Sequence, residues 1–367
     1  MEPLRVGIVG CGAISGVYFE NLCRYPATEV VACADRELDR AKQAAEKYGV
    51  AWSGSTEDLL AREDVELVLN LTVPKAHASV NCGAIAAGKH VYVEKPLAVT
   101  LEDGEKTLAA AREKGLLVGC APDTVLGAGI QTARKLVDDG AIGQVVGCNA
   151  FMMCLGHESW HPSPEFYYEV GGGPMFDMGP YYLTALVTML GPVKKVFGMA
   201  AATFPTRTIT SQPKYGKVVP VETPTHIVGL LQFDSGAIGQ IATSFDVCAH
   251  TLPFIEVYGS EGSLLVPDPN GFGGEVKMRR RGESEWHVVP LTHKFEQNHR
   301  GLGVLDMAYA IRNRRPHRAS GALALHVLSM FHGFLKSAET GAAVDVACGD
   351  VRPDAMPTDP PADALPE

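Results

Sequence analysis

Short apolar runs at 5–9, 29–34, 65–71, 90–93 and 116–121 alternate with helix-like stretches near 13–24, 36–48, 75–87 and 101–114. The runs are rich in Val and uninterrupted, as strands buried on both faces are. This alternation predicts a parallel sheet covered by helices and joined by right-handed crossovers. Thr100 followed by Glu102, Asp103 and Glu105 gives an acidic helix start, and Gly115 a stop.

A further helix over about 124–139 leads through Asp139-Gly140-Ala141-Ile142-Gly143 into different sequence. Strands are then expected near 143–154, 193–202, 226–233, 236–245, 253–259, 262–266, 276–280 and 286–290, with helices near 177–190, 299–313 and 320–338. Asp234-Ser235-Gly236 between two apolar runs reads as a hairpin turn. The second half is therefore a largely antiparallel α+β layer. Residues 350–367 hold five prolines and a run of acids, which reads as a disordered or loosely draped tail. The expected division is 1–122, 123–345 and a tail at 346–367.

Composition narrows the function classes. Apolar residues make up 46% of the 367 and charged residues 20%, ordinary for a globular chain. A net charge of −10 argues against a general nucleic-acid or anionic-membrane surface. The nine cysteines are scattered and contain no C-x-x-C, so neither a disulfide framework nor a zinc site is expected and a reducing cytoplasm fits. Leu4-Arg5-Val6-Gly7-Ile8-Val9 is strand-like at once, without a leader pattern, and no window approaches a membrane span.

The first candidate chemistry is the turn Gly10-Cys11-Gly12-Ala13-Ile14-Ser15, which follows one strand and opens a helix. Gly10 permits the tight turn, Gly12 lets the backbone approach a pyrophosphate, and Ser15 is the third small position. Asp35, at the end of the second strand, is placed to hydrogen-bond the adenosine ribose. Its carboxylate would repel a 2′-phosphate and so favours NAD. Arg36 beside it keeps NADP open, since it could stack on adenine, pair with that phosphate, or be a solvated helix residue. Thr72 and Pro74, after the third strand, are expected to line the cofactor, and His77 either reaches it or is a helix-start histidine with no ligand. Glu94-Lys95-Pro96 follows His90-Val91-Tyr92-Val93 and puts an ammonium where the reactive end of a nicotinamide would lie.

Together with Gly171-Gly172-Gly173 and Asp177-Met178-Gly179, these motifs resemble the Gfo/Idh/MocA oxidoreductases over about residues 4–345. The resemblance implies an N-terminal Rossmann domain and a C-terminal α+β domain with a large open sheet. It also implies a homodimer or homotetramer and substrates that are sugars, glycosides or cyclitols. Lys95 would then contact the hydroxyl that is oxidised. The family's Asp-x-x-x-His signature is altered here: Asp177 is present, but Tyr181 stands where histidine is expected. A phenol near pKa 10 is a poor base at neutral pH. Beside Lys95 and a nicotinamide cation it could acidify and exchange the proton; otherwise it positions substrate, and Lys95 or a histidine elsewhere moves the proton.

Gly156-His157-Glu158-Ser159-Trp160-His161-Pro162 is a polar, aromatic segment expected to face substrate. Trp160, Tyr167 and Tyr168 could stack on a sugar ring, and His157, Glu158 and His161 could bind its hydroxyls. Asp123 either touches substrate or caps the helix that follows it. The expectation is an NAD(P)-dependent oxidoreductase acting on a secondary alcohol. The alternatives are an NAD-dependent glycosidase working by transient oxidation, and a non-catalytic NAD sensor.

Overall fold

The computed structural model describes residues 1–358. Its first sheet has six parallel strands in the order Ser53–Gly54, Thr28–Ala34, Leu4–Val9, Leu67–Asn70, His90–Val93 and Val118–Cys120. Val6, Ile8, Leu67, Leu69, Val91 and Val93 are fully buried between helices on both faces, which is why the runs are continuous. Winding reverses at Leu4–Val9, so a crevice opens beyond the carboxyl ends of that strand and Leu67–Asn70. The two-residue strand Ser53–Gly54 and the helix Thr56–Ala61 are too short to leave a periodic signal, and the sequence reading misses them.

The second sheet has nine strands, ordered His287–Val289, Val276–Arg280, Gly262–Val266, Ile255–Gly259, Val145–Met153, Ile238–Ser244, His226–Phe233, Val193–Ala201 and Val344–Asp345. Every pairing is antiparallel except Val145–Met153 with Ile238–Ser244. The hairpin closes at Gly236, with φ +92°, as expected. Helices Ala128–Asp138, Gly179–Leu190 and Gly321–Thr340 cover one face. Gly229 makes this close: a Cβ there would lie 2.3 Å from the Phe334 ring, so only glycine lets the last helix seat on the sheet. The expected helix over 124–139 starts later, as a 3₁₀ turn Thr124–Leu126 followed by Ala128–Asp138.

Two expectations are corrected. The tail is docked as far as it is described. Met356 is 4% exposed, its N–H donates to Gln131 Oε1 at 2.9 Å, and Arg352 donates to the Met189 carbonyl at 2.7 Å. Proline and acid content hid a single apolar anchor; residues 359–367 lie outside the described residues. Asp123 does neither job read for it. It is 1% exposed, its Oδ2 accepts the N–H groups of Gly301 at 2.8 Å and Gly303 at 3.0 Å, and it makes no side-chain cap to its own helix. It caps Leu302–Asn313 instead, whose N-cap Gly301 has no side chain to do so.

Burial raises the Asp123 carboxyl to about 6, partly offset by the Gly303 N–H, Arg300 and the Gly301 N–H. The native state therefore binds this proton more tightly than the unfolded chain, and this residue's contribution to stability falls as pH rises from about 4 to about 6. Asp123→Ala orphans two buried N–H groups and should cost about 1–2 kcal/mol in denaturant unfolding at neutral pH. Asp123→Asn keeps the acceptor, and its stability relative to the parent should improve between pH 4 and 6; a difference flat in pH rejects this account.

Candidate active site

The turn after Leu4–Val9 is shaped for a phosphate. Gly10 sits at φ +100°, where a Cβ would be 2.7 Å from the Leu71 carbonyl, and Gly12 has open space within 4 Å. The helix Ser15–Arg24 has no side-chain cap at its N-terminus, leaving its first N–H groups to a ligand. Asp35 is buried; Oδ2 accepts the Cys11 N–H at 2.8 Å and Oδ1 the Glu37 N–H at 2.9 Å, which ties the second strand to the glycine turn. Each oxygen keeps a free lone-pair site. Arg36 is exposed and pairs only loosely with Glu37 at 3.6 Å. These residues line a cavity of about 390 Å³ with Arg40, Thr72 and Val73. Its donors and its open glycine suit the adenosine and pyrophosphate half of a dinucleotide.

Leu71 and Thr72 also border a second cavity of about 420 Å³ between the two sheets' loops. Ala13, Ile14, Pro74, Glu94 and Lys95 form one wall, and Trp160, His161, Tyr167, Asp177 and Tyr181 the other. Glu94 is locked, with Oε1 accepting from the Tyr18 hydroxyl and Oε2 from the Lys95 N–H, both at 2.8 Å. Its carboxylate thus braces the strand end that carries Lys95. Lys95 Nζ donates to the Asp177 carbonyl at 2.8 Å and to Asp177 Oδ1 at 2.9 Å, and lies 5.2 Å from the centre of the Tyr181 ring. Burial works to lower Lys95, but Asp177, Tyr181 and Glu94 outweigh it and hold the ammonium well above its ordinary value. Burial works to raise Asp177, but Lys95 and the His157 hydrogen bond bring it down to about 2.

The segment bearing Asp177 and Tyr181 is two helices, Gly173–Asp177 and Gly179–Leu190, where one was expected. Pro180 has no N–H to offer the preceding turn, and the chain kinks at Met178 while keeping both side chains on the cleft. Burial raises the Tyr181 phenol; Lys95 and Arg300 offset this only in part. Without ligand, burial therefore keeps the proton on the Tyr181 phenol.

Two further expectations fail for histidine. His77 is fully buried, with Nδ1 on the Pro96 carbonyl at 2.7 Å and Nε2 on the Thr72 carbonyl at 3.0 Å. Burial favours the neutral ring, whose single N–H donates to one of these two carbonyls, and both nitrogens face backbone away from the cavities. His157 does not line the cleft. Its Nε2 meets Asp177 Oδ2 at 3.2 Å from behind, and its ring packs edge-on against Tyr167 and Phe245 at 4.3 and 4.6 Å. His161 and Tyr167 do line it, and Trp160 stands at its mouth, 61% exposed. Tyr168 and Glu158 turn away to a buried cluster with Arg207, on a strand Thr206–Thr208 that the sequence reading misses. Arg300 was also missed. Its guanidinium is held by Asn298 Oδ1 at 3.0 Å and Asn270 Oδ1 at 2.7 Å, and its charge works against burial at the Tyr181 phenol. Nothing local in the sequence links it to the cleft, since the contact spans more than a hundred residues.

Comparison with known proteins agrees with this geometry. Residues 4–121 match the model of an oxidoreductase family with an NAD-binding Rossmann fold, and residues 130–265 match the GFO/IDH/MocA C-terminal domain. The chain is similar to 1,5-anhydro-D-fructose reductase of Ensifer adhaerens, 27% identical over 94% of this chain and 99% of the relative. It is also similar to D-glucoside 3-dehydrogenase of Escherichia coli, 30% identical over 78% of this chain and 85% of the relative. Among solved structures, an NAD-binding oxidoreductase from Klebsiella pneumoniae superposes with a TM-score of 0.83 over 95% of this chain and 100% of its own. At 22% identity that likeness speaks for the fold alone. With both halves matched in order and the glycine turn, Lys95 and Asp177 converging on one cleft, the chain belongs to the Gfo/Idh/MocA family of NAD-binding oxidoreductases.

Proposed function

We propose that this protein transfers hydride between NAD and a secondary alcohol of a neutral sugar, glycoside or cyclitol held in the Lys95 cleft. The observation that carries the reading is the donor count at Lys95. Two of its three N–H groups are held by Asp177, and the third is left for a substrate oxygen. The nicotinamide, when bound, supplies or takes the hydride. Lys95 polarises the substrate oxygen and offsets alkoxide charge. Tyr181 exchanges the proton with that oxygen, giving it in the direction of reduction and taking it back on oxidation. Trp160 and Tyr167 offer faces for the apolar side of a ring, and His161 a polar edge. Relatives named for anhydrofructose and glucosides fit such a substrate. Asp35 favours NAD, and a reducing cytoplasm suits nine free cysteines.

The reading extends to a homo-oligomer. Phe197, Met199, Val228, Leu230 and Ile238 share the uncovered face of the large sheet, and Met199 and Ile238 are 71% and 63% exposed. Adjacent antiparallel strands presenting such a patch suit a second copy of the chain.

Nicotinamide absorbance followed over a panel of sugars, glycosides and inositols, with NAD and NADP in parallel, tests the activity. No change with any of them rejects it, and release of an aryl aglycone without NADH build-up replaces it with the glycosidase reading. Lys95→Met should lower kcat/KM on the order of 10²–10³-fold while calorimetry still finds NAD bound; full activity in that variant would remove Lys95 from the chemistry, and NAD binding by a parent protein inert to every substrate would leave a non-catalytic sensor. Met199→Glu combined with Leu230→Lys should shift light scattering to the monomer mass, and an unchanged mass removes this face as the interface.

A further inference from the structure

We infer that His157 is a positioning residue for the reaction: it fixes the Asp177 carboxylate so that Lys95 keeps one N–H for the substrate oxygen. This rests on the reading of Lys95 as the polarising cation. Asp177 holds Lys95 through Oδ1 and its own carbonyl, which works only if the carboxylate plane cannot turn. Its other oxygen, Oδ2, would be an unmet acceptor were it not for His157 Nε2 at 3.2 Å. With Asp177 ionised, that contact needs a proton on Nε2, so the imidazole donates and the carboxylate accepts.

The ring is itself held. Tyr167 and Phe245 clamp its edges, and its backbone N–H lies 3.4 Å from the Tyr168 hydroxyl, which donates to Glu158. Arg207 anchors Glu158 in turn at 3.0 Å. His157 therefore comes from the loop after the strand Val145–Met153 to support the carboxylate, while the helix position expected for histidine is occupied by Tyr181.

The groups facing Asp177 are Lys95, His157, His161, Tyr167 and Cys154. Of these, Lys95 and His157 hold its pKa down against burial. Removing His157 therefore raises the Asp177 pKa, and the acid limb of kcat/KM moves to higher pH.

The test uses the full chain with His157→Leu and His157→Gln. In His157→Leu, kcat should fall on the order of a hundredfold with KM for the sugar little changed, because the ring stands behind the carboxylate. The acid limb should move up, and His157→Gln, which keeps a side-chain N–H, should recover part of both. Unchanged kcat and limb in His157→Leu overturns the proposal. Should that substitution prevent folding, His157→Asn is read against His157→Gln: the shorter amide falls short of Oδ2, and equal kcat in the two overturns the proposal. Carbon-13 NMR of the Asp177 carboxyl, assigned by difference against Asp177→Asn without cofactor or sugar, reads the same shift without turnover. A raised Asp177 titration in His157→Leu alongside a parent protein inert to every polyol keeps His157 as the support of the Asp177 carboxylate but rejects the Lys95 reading, and with it the role in the reaction. An unshifted titration in an active protein does the reverse.

Discussion

The cleft depends on one buried ion pair made across the seam between the two sheets. Lys95 Nζ and Asp177 Oδ1 are 2.9 Å apart, with side chains 17% and 15% exposed. Withdrawing two charges from water costs more than their attraction returns unless the remaining donors and acceptors are also met. Here nearly all are. Asp177 Oδ2 has His157, the Asp177 carbonyl has a second Lys95 N–H, and the Tyr181 ring lies beneath the ammonium. One Lys95 N–H is left over. An oxygen entering the cleft completes the set, and the interaction strengthens as that oxygen gains negative charge, which is what a hydride transfer from an alcohol demands.

Such a pair needs the two halves held rigidly, and the fold supplies several ties besides the linking segment. Arg312, at the end of one of the last helices, grips Glu66 in the first domain at 2.8 and 2.9 Å. Asp123 caps that same helix from the strand end where the parallel sheet finishes. Ser320 bridges Gly119 on the sheet's last strand, and the helix that follows sends His332 Nε2 to the Val99 carbonyl at 3.1 Å, just past Lys95-Pro96. The buried His77 ring packs between the Pro96 and Thr72 carbonyls and donates to one of them, which seats the loop after Lys95 against the loop after the third long strand. Arg312–Glu66, Ser320–Gly119 and His332–Val99 join residues more than 200 positions apart, each tying a segment of the second half to the first sheet or the loop after it.

That distinction governs what could be read from the sequence. The glycine turn, Asp35 and Glu94-Lys95-Pro96 are legible because each is a local run at a strand end, where backbone geometry alone dictates its chemistry. The strands of the large sheet are legible because alternation and turns are local too. Asp123 and His77 were misjudged because polar residues at strand and helix ends look alike in sequence whether a ligand or a distant backbone group takes their hydrogen bonds. The tail was misjudged because one buried methionine among prolines leaves no period. Arg300 and the inward turn of His157 had no signal at all, since each depends on how separate segments of the second domain pack together.

Tyrosine in the catalytic helix then has a structural account. A histidine four residues after Asp177 would serve carboxylate and substrate from one helical face. In this chain those duties sit on different elements. Tyr181 lines the cleft, and His157 meets the carboxylate from the loop behind. Burial of Tyr181 disfavours the phenolate, so the phenol gives up its proton only to a strong base such as the alkoxide that hydride transfer to a carbonyl creates. Lys95 stays cationic and Asp177 anionic at any physiological pH. Lys95 and Asp177 thus keep fixed charges, which leaves Tyr181, of these three, as the group able to exchange a proton with an oxygen in the cleft.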